Sequence, residues 1–220
     1  RGPGEEAARL PGWSADGKVQ EVTPPGKQPT FNGTNQYLPE IEVAIQDRMY
    51  NVKGELYWPV NPTNPALHPF WTPEFFGDVM TVNGKSWPYL SVAPRKYRFR
   101  VLDGCNARFL NLWLQNLVGR VAGPAITVIG SDGAFLDAPV VLNPAAKQTL
   151  LMAPGERYDV IIDFTAVPPG TTLPLMNNAN APYPNGLPVV PGLTDRIMQF
   201  VVNGTIVTPD ASVVATPRSA

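Results

Sequence analysis

The stretch TVNGKSWPYLSVAPRKYRFRVLDGCNARFLNLWL, residues 81–114, decides the fold because it reads as consecutive β-strands broken by turns. Asn83-Gly84 is the first turn signal, since both residue types tolerate a positive φ. After Pro94 the side chains alternate between two faces, as a half-buried strand requires. One face carries Tyr97, Phe99 and Val101, and the other carries Arg98 and Arg100.

The next segment alternates in the same way, with Leu110, Leu112 and Leu114 on one face. Turn-forming residues occupy 103–106, between the two segments. The pattern predicts that the chain reverses there and that the two strands pair as a hairpin. We expect an antiparallel sandwich whose single core contains Phe99, Val101, Leu110, Leu112, Leu114, Ile126, Val160, Ile162 and Phe200.

Short strands continue on both sides of this stretch. The first begins near Leu38, and later ones are predicted at Ile126–Ile129, Pro139–Leu142, Gln148–Met152, Arg157–Phe164 and Ile197–Val202. No convincing helix exceeds two turns, and 26 Pro and 19 Gly separate the strands. The sequence therefore predicts an all-β Greek-key sandwich over 38–203 with long Pro-rich loops, preceded by a connector, 1–37, and followed by a tail, 204–220.

Composition excludes several classes of partner. The net charge of −1 and the pI near 5.9 argue against nucleic acid and membrane-surface binding. No apolar run approaches the roughly 20 residues of a membrane-spanning helix. Cys105 is the single cysteine, so cysteine usage neither requires nor excludes an oxidising compartment. The abrupt start at Arg1-Gly2 suggests a fragment or processed piece.

Residues able to do chemistry are few. The single histidine, His68, lies in a Pro-rich aromatic loop and reads as a plain loop residue. Cys105 lacks a neighbouring His or Cys and reads as a small filler or a half-exposed thiol. Turn or outward-facing strand positions indicate structural roles for the carboxylates Asp132, Asp137, Glu156, Asp159 and Asp163. We therefore predict no catalytic, cofactor-binding or metal-binding residue in this chain.

Two Pro-rich loops carry apolar side chains that no predicted strand explains. Residues 67–78 contribute Phe70, Trp71, Phe75 and Phe76, and residues 179–193 contribute Tyr183, Leu187, Val189 and Val190. They either cap one end of the core or form a rim that meets a partner or borders a substrate mouth. The rim hypothesis rests on Phe70, Trp71, Phe75, Phe76 and Tyr183.

The quoted stretch also carries a family resemblance. VNGKSWPYLSVAPRKYRFRVLDGCNARF resembles the middle cupredoxin domain of three-domain multicopper oxidases, the group of laccases, bilirubin oxidases and spore-coat laccases. Three further motifs follow the family's order, and the match spans about 120 residues: Ile45-Gln46-Asp47-Arg48, Gly130-Ser131-Asp132-Gly133 and Ala153-Pro154-Gly155-Glu156-Arg157-Tyr158-Asp159-Val160.

The resemblance implies a cupredoxin-like fold and a copper-free scaffold role. In this family the type 1 copper uses two His and a Cys, and the trinuclear cluster uses further His, all in the other domains. The parent would oxidise phenols, aromatic amines, a tetrapyrrole or metal ions and reduce O2 to water, while this chain alone would be inactive. Its expected partners are the flanking cupredoxin domains, or a second copy of itself, in a secreted or cell-envelope location. A copper-less cupredoxin-like binding protein of the cell envelope is the alternative.

Overall fold

The computed structural model describes residues 40–59 and 74–204, together with Asp210, Ser212 and Val214. These residues form thirteen strands and one short 3-10 helix at Pro144–Ala146. The strands are β1 (Glu40–Arg48), β2 (Val79–Val82), β3 (Lys85–Ser86), β4 (Tyr89–Val92), β5 (Lys96–Asp103), β6 (Leu110–Asn116), β7 (Val121–Ala122), β8 (Ile126–Ser131), β9 (Ala134–Leu142), β10 (Leu150–Met152), β11 (Arg157–Asp163), β12 (Thr172–Asn177) and β13 (Arg196–Val202). The predicted connector, 1–37, lies outside the described residues, as does most of the predicted tail.

Two sheets face each other. One has seven strands in the order β3-β2-β1-β5-β11-β8-β9, and the other has the order β10-β6-β12-β13-β4, with β7 pairing β6. Both are mixed, because β1 pairs β5 in parallel and β13 pairs β4 in parallel. The all-β sandwich is confirmed. The expectation that all its strands pair antiparallel is wrong for these two pairs.

The hairpin predicted between β5 and β6 is wrong. β5 pairs with β1 and β11 in the seven-stranded sheet, whereas β6 pairs with β10, β12 and β7 in the other sheet. Residues 104–109 therefore cross from one sheet to the other. Alternation within each strand shows which face is buried but not which strand is its neighbour, and this limitation produced the error.

The Asn83-Gly84 turn is confirmed. It joins β2 to β3, and both residues have positive φ values, 49° and 79°. Such φ values suit the tight two-residue turns of hairpins.

β12 escaped the sequence analysis because it lacks alternation. β12 reads TLPLMN and lies within the segment predicted to be a Pro-rich excursion, yet five of its six residues are buried. Pro174 pairs with Gln199 of β13 inside the sheet. A strand covered on both faces shows a continuous apolar run, so period 2 gives no signal there.

The core prediction is confirmed. All nine predicted core residues are buried in a single cluster between the sheets, including Leu112, which is 1% exposed. Tyr97, Phe99, Phe164 and Phe200 form a chain of ring contacts with centroids 5.3–6.2 Å apart. Tyr97 and Asp103 lie on the same inward face of β5, so the buried face of this strand extends to its last residue.

Candidate domain interface

Strand directions bring the aromatic segments to one end of the sandwich, which we call the aromatic end. β1 and β5 finish there, and β6 and β13 begin there, as the paired residues show. The segments at this end are 49–58, 74–78, 104–109 and 178–195. The opposite end is the one where β5 begins and β11 finishes.

Segment 74–78 is held against the sandwich by a buried ion pair. Arg108 Nε donates to Asp47 Oδ2 at 3.0 Å, and the same oxygen accepts the Gly77 N–H at 2.7 Å. The Arg108 guanidinium also donates to the Gly77 carbonyl at 2.8 Å. A Cβ added at Gly77 would lie 2.5 Å from the Arg48 backbone nitrogen, so this close approach requires glycine.

The aromatic rings of this segment fold back on their own domain. Phe75 is 3% exposed and stacks on Trp58 with centroids 4.2 Å apart. The Arg108 guanidinium lies 5.6 Å from the centre of the half-buried Phe76 ring. Phe75 is therefore buried within the chain itself, and Phe76 is partly covered, so neither ring is a largely exposed rim residue.

Segment 178–195 leaves its apolar side chains exposed. Tyr183 stacks on Phe109 at 4.9 Å yet remains 40% exposed, and Leu187 is 79% exposed. Trp87 donates through Nε1 to the Leu193 carbonyl at 2.9 Å, and it is 38% exposed. We call the solvent-facing apolar surface at this end the exposed rim. Its residues are Trp87, Tyr183, Leu187, Val190 and Leu193.

The five predicted rim residues fall into three groups. Phe70 and Trp71 lie outside the described residues, as does His68. Phe75 is buried within the chain, and Phe76 is half-buried against Arg108. Tyr183 alone among the five is a substantially exposed aromatic in the described part of the chain, so the rim hypothesis stays a prediction carried by Tyr183 and its neighbours.

The described residues do not assemble a copper-ligand set. No group of three or more His, Cys, Asp or Glu in 40–59 and 74–204 is placed to hold a metal ion. Cys105 is buried, and desolvation, reinforced by the nearby Asp47 and Asp103 carboxylates, raises the pKa of its thiol far above the ordinary value. A thiol held in the protonated state is a poor ligand for copper.

The outward face of the seven-stranded sheet carries a charge cluster that the sequence analysis missed. Arg98 is 2% exposed and forms ion pairs with both Asp159 and Glu40. In the register, Glu40 of β1 lies opposite Arg98, and Asp159 of β11 lies opposite Arg100, two residues from Arg98 on the same face of β5. Alternation had marked Arg98 as outward-facing, and only the cross-strand neighbours show why it is buried.

A groove of about 550 Å³ opens beside this cluster. Its lining includes Arg100, Ser131, Phe135, Arg157 and Tyr158. Arg100 pairs with Glu40 at 2.7 Å, and Arg157 pairs with Asp132 at 3.0 Å, so both cations already have carboxylate partners. Asp132 Oδ1 accepts the Arg157 N–H of β11, and Glu156 Oε2 accepts the Ala153 N–H within its own turn.

The described residues contain no helix long and apolar enough to cross a membrane.

Comparison with known proteins identifies the family. No protein-family model matches the chain. It is 40% identical over 166 residues to the Multicopper oxidase LPR1 homolog 3 of Oryza sativa subsp. japonica, a match covering 74% of this chain and 29% of that protein. It is 42% identical over 176 residues to a Laccase of Bacillus subtilis, covering 79% of this chain and 31% of the relative.

Solved structures agree with the sequence relatives. The crystal structure of the McoA multicopper oxidase of Aquifex aeolicus matches with a TM-score of 0.63 and 28% identity, over 80% of this chain and 34% of that one. The chain thus spans about a third of the length of the proteins it matches. Its two mixed sheets have the cupredoxin fold, and the chain belongs to the multicopper oxidase family.

Proposed function

We propose that this chain is the middle, copper-free scaffold domain of a multicopper oxidase. The parent protein would oxidise phenolic, aromatic amine, tetrapyrrole or metal substrates and reduce O2 to water at copper sites in its other domains. Relatives named laccase and multicopper oxidase, of which this chain spans about a third, support the proposal.

The observation that carries the proposal is the ligand inventory. The whole chain contains one His and one Cys, whereas a blue-copper site needs two imidazoles and a thiolate. Burial and two nearby carboxylates disfavour the Cys105 thiolate. The residues of this chain therefore act mechanically, as a rigid sandwich whose loops meet neighbouring domains.

The exposed rim supports the choice of partner. Tyr183, Leu187 and Val190 point away from the core, and aromatic and aliphatic side chains are the ones that interface centres bury. We assign this surface to contact with the flanking cupredoxin domains, or with a second copy of the chain when those domains are missing. The parent would be secreted or held in the cell envelope.

Copper loading tests the proposal. The purified chain is incubated with Cu(I) or Cu(II), freed of unbound metal and analysed for copper per chain and for the colour of a Cu(II)–thiolate. We expect a colourless protein without stoichiometric copper, and a Cys105→Ala variant should behave identically. One tightly held copper per chain, lost in the Cys105→Ala variant, would overturn the copper-free assignment.

The groove on the outward face favours a second candidate, a non-enzymatic cupredoxin-like binding protein of the cell envelope. Its volume lies within the range of small-molecule pockets, and Phe135 and Tyr158 give it an apolar wall. Arg100 and Ser131 supply polar groups at its edge. Under this alternative the coding frame around the chain would lack His-x-His and His-Cys-His motifs, and that absence separates it from the scaffold proposal.

A further inference from the structure

Two buried carboxylates lie close together at the aromatic end, and each has an oxygen without a partner. Ile45 of β1 is paired with Asp103 of β5, and Asp47 follows two residues later on the same inward face as Ile45. Asp47 is 2% exposed and Asp103 is fully buried. Neither Asp47 Oδ1 nor Asp103 Oδ2 has a hydrogen-bond partner among the described residues.

The charges around this pair do not balance when both carboxyls are ionised. Arg108 supplies one positive charge and is bound to Asp47. The other groups facing Asp103 are Cys105 from the crossing segment and Glu156 from the turn between β10 and β11, and neither is a cation. A buried anion without a cation is costly, and taking up a proton is the usual way to remove that cost.

Geometry indicates which carboxyl takes the proton. Asp47 Oδ2 accepts two N–H groups, one of them from a guanidinium, and such bonds stabilise the ionised form. Asp103 Oδ1 accepts the Cys105 N–H at 2.9 Å, and no cation among the described residues contributes to the pKa shift of its carboxyl. Asp103 is therefore the carboxyl of the pair with fewer donors to stabilise a negative charge.

We propose that Asp103, which lies beside the Asp47–Arg108 ion pair, is a buried proton-binding site that takes up a proton on Oδ2 in mildly acidic solution. Desolvation raises the pKa of Asp103 to about 6, the hydrogen bonds from Cys105 oppose the rise, and the Asp47 and Glu156 charges add to it. A proton is the occupant that the donor set fits, because the described residues offer no metal-ligating group of three.

This site is linked to the surface through Asp47. The same carboxylate fixes Gly77, and its partner Arg108 lies against Phe76. A negative charge on Asp103 repels Asp47 and loosens the anchor of segment 74–78, whereas a neutral Asp103 leaves the anchor intact. The inference concerns this chain alone and does not depend on the proposed function.

Unfolding by urea from about pH 5 to about pH 8 tests the site in the full chain and in Asp103→Asn, which mimics the neutral carboxyl. The folded state holds the Asp103 proton more tightly than the unfolded chain does, so the stability that Asp103 contributes is greatest at low pH and is lost as pH rises through about 6. We expect the unfolding equilibrium constant of the unmodified chain to rise on the order of tenfold more than that of Asp103→Asn over this range. The matched control is Asp132→Asn at a half-exposed carboxylate, and it should keep the unmodified slope.

Carbon-13 NMR titration of the Asp carboxyl groups provides the second readout and does not depend on a variant folding well. One Asp carboxyl should titrate near pH 6 in the unmodified chain, and that resonance should be missing from Asp103→Asn. If no Asp has a midpoint above about pH 5, or if the raised midpoint persists in Asp103→Asn, the proposal is wrong.

Discussion

The two ends of the sandwich each contain a carboxylate that titrates abnormally, and the shifts have opposite signs. At the aromatic end the pKa of Asp103 is raised to about 6, chiefly by desolvation. At the opposite end burial would raise the pKa of Asp210, but hydrogen bonds from Ser212 and from the Lys96 backbone N–H outweigh it and lower the pKa. Lys96 N donates to Asp210 Oδ2 at 2.7 Å.

The difference shows that burial alone does not decide how a carboxylate affects stability. Asp210 meets three hydrogen-bond donors, whereas one oxygen of Asp103 meets none among the described residues. Donors favour the charged form and burial favours the neutral one. The two ends should therefore respond differently to mutation and to pH.

Breaking the buried ion pair should have the largest effect. Arg108→Ala leaves Asp47 buried without its cation, and we expect the free energy of unfolding to fall by about 3–5 kcal/mol. Urea unfolding at neutral pH measures the change. Arg157→Ala is the matched control, because the Arg157–Asp132 pair is exposed and its loss should cost about 1 kcal/mol or less. Equal losses in the two variants would contradict the importance assigned to the buried anchor.

Cavity creation in the core should come next. Leu112 is 1% exposed, and Leu112→Ala should lower the free energy of unfolding by about 2–5 kcal/mol. Leu117→Ala provides the comparison, since Leu117 is 43% exposed just beyond β6 and should cost far less. A small loss for Leu112→Ala would show that the core between the two ends is loosely packed.

At the opposite end, Asp210→Asn should have a moderate effect with a distinctive pH dependence. The pKa of Asp210 is lowered in the folded state, so its stabilisation is present above the ordinary Asp pKa and is lost as pH falls through the folded pKa. We expect a loss of about 1 kcal/mol at neutral pH that vanishes in strong acid. Denaturation curves at acid and neutral pH check this, and a loss that grows as pH falls would refute it.

Substitutions on the exposed rim should affect stability least. Leu187→Ser changes a side chain that is 79% exposed, so the free energy of unfolding should move by no more than about 0.5 kcal/mol. Self-association of the chain at high concentration should weaken if the rim is an interface. Sedimentation velocity compares the two proteins, with Val118→Ser as the control on an exposed residue between β6 and β7. If both changes affect self-association equally, the rim is not the surface through which the chain self-associates.

The sequence predicted the parts of the fold that depend on local alternation. The inward faces of β5 and β6 and the Asn83-Gly84 turn all agree with the structure. The pairing of β5 with β1, and the burial of Pro174 inside β12, depend on contacts between distant segments, and period 2 carries no information about those. For the same reason the Asp47–Arg108 pair, which is separated by 61 residues, could not be found from sequence.

The candidate interface was half predictable. Aromatic residues outside strands marked the aromatic end, but their number alone could not separate rings that the chain itself buries from rings that face solvent. Phe75 stacks on Trp58 and is buried, whereas Tyr183 stacks on Phe109 and stays 40% exposed. Only the three-dimensional arrangement distinguishes these two outcomes.

The most direct test of the scaffold assignment is the coding sequence on either side of the codons for Arg1 and Ala220. We predict one continuous frame with His-x-His pairs upstream and a His-Cys-His motif downstream, because the copper ligands that this chain lacks must then lie in neighbouring domains. A frame that contains neither motif would contradict the assignment to a multicopper oxidase scaffold and favour the copper-less binding protein.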